Sequence, residues 1–190
     1  MIQYFKDYKK QVFPAFCMIL FVAFTITDSC TTYLVDPNLE NDGNPVVLFF
    51  QWGWIETWVY VFCLVLLTLF LAVKSNKYIL KYFENKKQGV SSNKFLFGIC
   101  CLLLIYCYHN LIAPFECSIH NYLCHQYYTR DAGSENFVQN IATHYAEFCI
   151  NFGITIYYFI TVLEILIAAI ATIFQVKRVK KYIYSIDTDL

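Results

Sequence analysis

Four long apolar runs dominate this chain, and short polar segments separate them. The runs cover about residues 12–35, 46–73, 95–115 and 142–176. A helix needs about 20 predominantly apolar residues to cross about 30 Å of hydrocarbon, and each run meets that length. The pattern predicts an all-α fold: a polytopic membrane protein, built as an antiparallel four-transmembrane-helix bundle in one domain over residues 1–190. The first run opens apolar and turns polar near its end, at Thr25, Thr27, Asp28, Ser29, Thr31 and Thr32. The second carries Trp52, Trp54 and Trp58 near its start, where the apolar ring and polar N–H of tryptophan suit a membrane–water boundary. The fourth exceeds one crossing, so it either tilts or projects its first two turns from the bilayer. Connecting loops are expected at about 36–45, 74–94 and 116–141. An amphipathic stretch around Tyr78–Phe83 either extends the second helix or lies on the membrane surface.

Charge orients this framework. Thirteen of the 14 Lys and Arg residues fall in three patches: Lys6, Lys9 and Lys10; Lys74 to Lys94; and Lys177 to Lys181. Arg130 is the exception. Basic residues stay on the cytoplasmic side as a chain inserts, so both termini and the 74–94 loop are expected inside. The loops at 36–45 and 116–141 are then expected outside. Composition adds that 58% of residues are hydrophobic and the formal net charge is zero. That balance offers a nucleic-acid partner no electrostatic footprint. The first run is too long for the apolar region of a cleavable signal peptide and lacks its small-residue cleavage site.

Ionisable groups inside membrane spans are costly and default to functional hypotheses. Asp28, with Thr32 one turn on, lies about two turns below the outer boundary of the first helix. Glu56 lies at similar depth on the second, and His109 and Asn110 near the outer end of the third. On the fourth, His144, Glu147 and Asn151 recur at i, i+3 and i+7, which is one helix face. Together these eight residues predict a polar pocket opening outward. Solvation at the interface is the competing explanation for Glu56, His144 and Glu147. Glu164 sits deeper, where a structural hydrogen bond and a proton relay are equally good explanations.

All four histidines, His109, His120, His125 and His144, map to the outer side. His109, His144 and Glu147 are the candidate metal ligands, and His109 and His144 could bracket a haem, although no cofactor is required by these residues. Histidines acting as interfacial hydrogen-bonders explain the pattern more simply. Nine cysteines are present, most of them within spans, where the thiol behaves as a small apolar group. Cys117 and Cys124 in the outer loop are candidates for a disulfide if that side is oxidising.

The segment from Asp28, with Thr31 or Thr32, to Asp42-Gly43-Asn44-Pro45 resembles a motif in a family of small uncharacterised prokaryotic four-helix membrane proteins. That family, a domain of unknown function, carries Asp and Thr late in helix 1 and an acidic-x-Asn-Pro turn before helix 2, usually with Glu where this chain has Asp42. The resemblance covers about forty residues and implies a fold and a prokaryotic cytoplasmic membrane, with no activity. Asn44 as N-cap and Pro45 at the first helical position would explain the turn without a ligand. The leading functional expectation is a pocket for a small ligand, lipid head group or ion. The alternatives are an accessory or structural subunit of a larger membrane complex, or a membrane oxidoreductase using metal, haem or thiol chemistry. The disulfide-forming oxidoreductases share the topology but use a Cys-x-x-Cys pair that this chain lacks. The bilayer is the expected partner, with a second membrane protein or another copy of the chain beside it.

Overall fold

The computed structural model describes residues 10–39, 49–130 and 136–185. Among these there are five helices and no strand. They are α1 (Ala15–Val35), α2 (Trp54–Lys87), α3 (Lys94–Tyr128), α4 (Phe137–Phe152) and α5 (Ile154–Ser185). Four of them, α1, α2, α3 and α5, are long and apolar enough to cross a membrane. The expected four-helix bundle therefore becomes five helices, because the fourth apolar run is divided. Gly153 divides it, with φ +53° and ψ −144°, a conformation that a residue with a Cβ rarely adopts. Its N–H donates to the Cys149 carbonyl and closes α4, and α5 starts at the next residue.

Local chemistry explains the other boundaries. The Gln11 side-chain oxygen accepts from the Ala15 N–H at 2.8 Å, serving a donor that α1 leaves open at its start. Within α1, Thr27, Ser29 and Thr31 donate their hydroxyls back to the carbonyls of Ala23, Thr25 and Asp28. Such back-bonding lets an apolar-looking helix carry hydroxyl groups without leaving them unsatisfied. At 34 residues α2 is about 50 Å long and runs through most of the basic segment expected as a loop. It ends at Gly89, where φ is +73° and the N–H groups of Gly89 and Val90 reach back to Lys86 and Asn85, a Schellman closure. Asn93 caps α3 by accepting from Leu96 N–H at 3.1 Å. The third helix continues to Tyr128, well beyond residue 115, so much of the expected 116–141 loop is helical. It tolerates Pro114 in its interior, and Ser118 donates to the Pro114 carbonyl at 2.6 Å. Asn136 and Gln139 form a reciprocal capping box at the start of α4. The second helix begins at Trp54, and the turn Asp42-Gly43-Asn44-Pro45, together with Lys6 and Lys9, lies outside the described residues.

The chain resolves into two compact units. The first takes the described residues up to Phe21, then Val65–Ile112, then those from Glu164 on. Its core is apolar: Val12, Phe13, Ile79, Leu104, Cys107, Ala168 and Val179 are among the side chains closed off from the surface. The short stretch ahead of α1 is held there by its backbone. Tyr108 donates its hydroxyl to the Val12 carbonyl at 2.7 Å, Val12 N–H donates to Asn76, and Arg178 donates to the Gln11 carbonyl. The second unit takes Val22–Leu64 and Ala113–Leu163. Aromatic pairs and polar bonds join its helices, including Phe24 on Phe115 at 4.9 Å and Tyr33 on Trp54 at 5.5 Å. The Trp54 indole N–H donates to the Pro37 carbonyl at 2.7 Å, which ties the end of α1 to the start of α2.

Candidate functional site

The predicted pocket residues fall in two places. His109 and Asn110 belong to the first unit, and Asp28, Thr32, Glu56, His144, Glu147 and Asn151 to the second. In the first unit His109 Nδ1 lies 3.5 Å from a carboxylate oxygen of Glu164 on α5. Asn110, the next residue, donates its amide to the Thr68 hydroxyl on α2 at 3.0 Å. Glu164 is buried, so its ionisable group is placed against an imidazole and not against a bare apolar wall.

In the second unit Asp28 and Thr32 stand four apart on α1, which puts both side chains on one face. Asn121 of α3 bridges them. Its amide donates to the Thr32 hydroxyl at 3.0 Å and lies 3.4 Å from Asp28 Oδ1. The remaining candidates are more open to their surroundings. Glu56 is exposed in the first turn of α2, close over Gly53, where an added Cβ would come within 3.3 Å of its carboxylate. His144 and Glu147 pair with each other one turn apart on α4 at 3.6 Å, with 75% and 63% of their side chains exposed. Asn151 is exposed as well.

A second polar cluster in the same unit is built from residues that sequence reasoning did not place together. His120 Nδ1 lies 2.8 Å from the Tyr145 hydroxyl of α4, and its Nε2 lies 3.5 Å from Cys124 Sγ. His120 also meets the Tyr157 ring of α5 edge to face at 5.9 Å. Burial, and after it the Cys149 thiol one turn along α4, pushes the Tyr145 hydroxyl well above its ordinary range. Tyr145 therefore stays a neutral phenol, able to donate to His120 or accept from it. The spacing His120-x-x-x-Cys124 would have revealed the pair once residues 116–128 were read as helical instead of loop. The same helix separates Cys117 from Cys124 by seven residues, about 10 Å along the axis, beyond the reach of a disulfide. The two are not bonded to each other, and Cys117 donates instead to the Glu116 carboxylate at 3.7 Å.

Among the described residues no three His, Cys, Asp or Glu side chains gather as a metal site requires. His109 is engaged with Glu164, while His144 and Glu147 face each other on α4. One further feature belongs to the first unit: a cleft of about 290 Å³ lined by Tyr78, Lys81, Tyr82, Asn85 and the Ser91–Asn93 turn. No protein-family model, curated protein or solved structure matches the chain.

Proposed function

We propose that this chain is a small integral membrane protein with a polar ligand site built around Asp28. The reading has α1, α2, α3 and α5 crossing the bilayer, both termini in the cytoplasm, and the Asp28 region open to the outer side of a prokaryotic cytoplasmic membrane. Four helices of spanning length and the clustering of Lys and Arg support the crossings and their direction. The extent of exposed apolar surface supports lipid contact: Ile19, Phe62, Phe95 and Phe174, one on each of these four helices, are all exposed.

One observation carries the site. Asp28, the one charged residue of α1, is bridged by Asn121 together with Thr32, so two helices present a carboxylate, an amide and a hydroxyl side by side. A carboxylate within a membrane helix favours a partner that is positive or donates hydrogen bonds. The ligand class is therefore a small cation or a polar head group carrying an amine. The test is a thermal-shift and equilibrium-binding screen of the full chain in detergent micelles. Alkali cations, ethanolamine and short-chain phosphatidylethanolamine serve as probes. At least one should stabilise the protein, and Asp28→Asn should remove the stabilisation while the variant still elutes as a folded protein. If no probe binds, or Asp28→Asn binds as well as the parent, the reading of an accessory subunit packed on a larger membrane complex becomes the better one.

A further inference from the structure

We propose that Cys124 accepts a fatty acyl group from an acyl thioester, with His120 as its base and Tyr145 as the residue that positions that base. The inference uses a different set of side chains from the Asp28 site and does not rest on it.

A thiol becomes a competent nucleophile when a base lies within hydrogen-bond reach and a third group orients the base. The second unit contains that sequence of contacts. Cys124 Sγ is 3.5 Å from His120 Nε2, and His120 Nδ1 is 2.8 Å from the Tyr145 hydroxyl. When Nδ1–H donates to the neutral phenol, Nε2 carries the lone pair that faces the thiol. The two contacts have different origins. His120 and Cys124 meet because they lie four apart on α3, whereas Tyr145 is brought from α4 by the fold. The ring of Tyr157, from α5, meets the imidazole edge to face at 5.9 Å.

The surroundings select the electrophile. Ile119 on α3, and Phe148 and Phe152 on α4, are large apolar side chains left exposed on the helices that carry the cluster. Such a surface accommodates an alkyl chain better than a soluble polar substrate. The reaction is thioester exchange. Cys124 S–H gives its proton to His120 Nε2, and the thiolate attacks the carbonyl carbon of the acyl thioester. The tetrahedral intermediate collapses, the bond from the carbonyl carbon to the leaving sulfur breaks, and the departing thiolate takes the proton back from His120. One thioester is lost and one is formed, so no oxidant or energy source is needed.

The test incubates the purified full chain in proteoliposomes with an alkyne-tagged palmitoyl-coenzyme A. Mass spectrometry then locates the hydroxylamine-sensitive label. Cys124 should be labelled first. Cys30, Cys63 and Cys117 are more exposed, so exposure alone predicts the opposite order. His120→Ala should slow labelling of Cys124 about a hundredfold, the lower end of what a positioned base supplies. Added imidazole should restore part of the rate, which a purely structural role for His120 would not allow. Tyr145→Phe should lower the maximal rate without changing the concentration of acyl donor giving half that rate. Absence of label on Cys124, faster labelling of an exposed cysteine, or no rescue by imidazole would each overturn the proposal. The labelling order is measured on the unaltered chain, so it decides the matter even if a variant fails to fold.

Discussion

The two units of this chain solve the same problem with different materials. The first closes on hydrocarbon: Val12, Phe13, Ile79, Leu104, Ala168 and Val179 are fully buried. Its long-range hydrogen bonds mostly serve backbone groups, as Tyr108 and Arg178 do for Val12 and Gln11. The second has fewer buried side chains and joins its helices through side-chain polar groups, with Asn121 on Asp28 and Thr32, and His120 on Tyr145. Every described Lys and all the described Arg except Arg130 belong to the first unit. Three of the four histidines belong to the second. An apolar core yields a unique packing at little chemical risk. Polar groups held between helices bring reactivity, at the cost of bonds that contribute less to stability. The difference is one of material: buried hydrocarbon in the first unit, interhelical polar groups in the second.

Substitutions can break that comparison. The largest effect is expected in the first unit: Leu104→Ala should destabilise the protein by about 2–5 kcal/mol, because the site is fully buried and a cavity remains. Leu102→Ala, two residues away and 66% exposed, should cost far less, and reversible unfolding in mixed micelles measures both. If the two cost the same, the apolar core is not what holds the first unit. Next comes Gly153→Ala, expected to cost about 1–3 kcal/mol because the helix break requires a positive φ. Circular dichroism during unfolding reads it, and an unchanged midpoint would mean that α4 and α5 can join without the break.

Asn121→Ala removes the bridge to Asp28 and Thr32 and should cost about 1 kcal/mol, the scale of interhelical hydrogen bonds in membranes. Its effect on ligand affinity should be proportionally larger than its effect on stability, which would sharpen the contrast between the two units. The smallest effect belongs to His144→Ala, within about 0.5 kcal/mol, because the pair with Glu147 is solvent-exposed and such pairs contribute little. A larger loss there would place His144 in a contact beyond its own helix.

The length of the apolar runs exposed the four helices that could cross a membrane. Asp28 and Thr32 were recognisable as a pair because a spacing of four on a helix places side chains together whatever the tertiary fold. The limits of the helices were less visible. Residues 74–87 and 116–128 carry enough charge or polarity to read as loops, yet both continue helices already begun, since propagating a helix costs little once it is nucleated. That continuation separates Cys117 from Cys124 and aligns His120 with Cys124. The division of the fourth run at Gly153 was equally hard to read, because a glycine is permissive and does not by itself announce a positive φ.

The sequence by itself determined an all-helical chain with four long apolar helices and a segregation of basic residues, because apolar length and charge are properties of consecutive residues. Only the tertiary structure decided which polar groups are partners. Asn121 with Asp28, Glu164 with His109 and Tyr145 with His120 each join residues more than twenty positions apart. Helix rotation and packing select such partners, and neither is encoded in the spacing along a single helix.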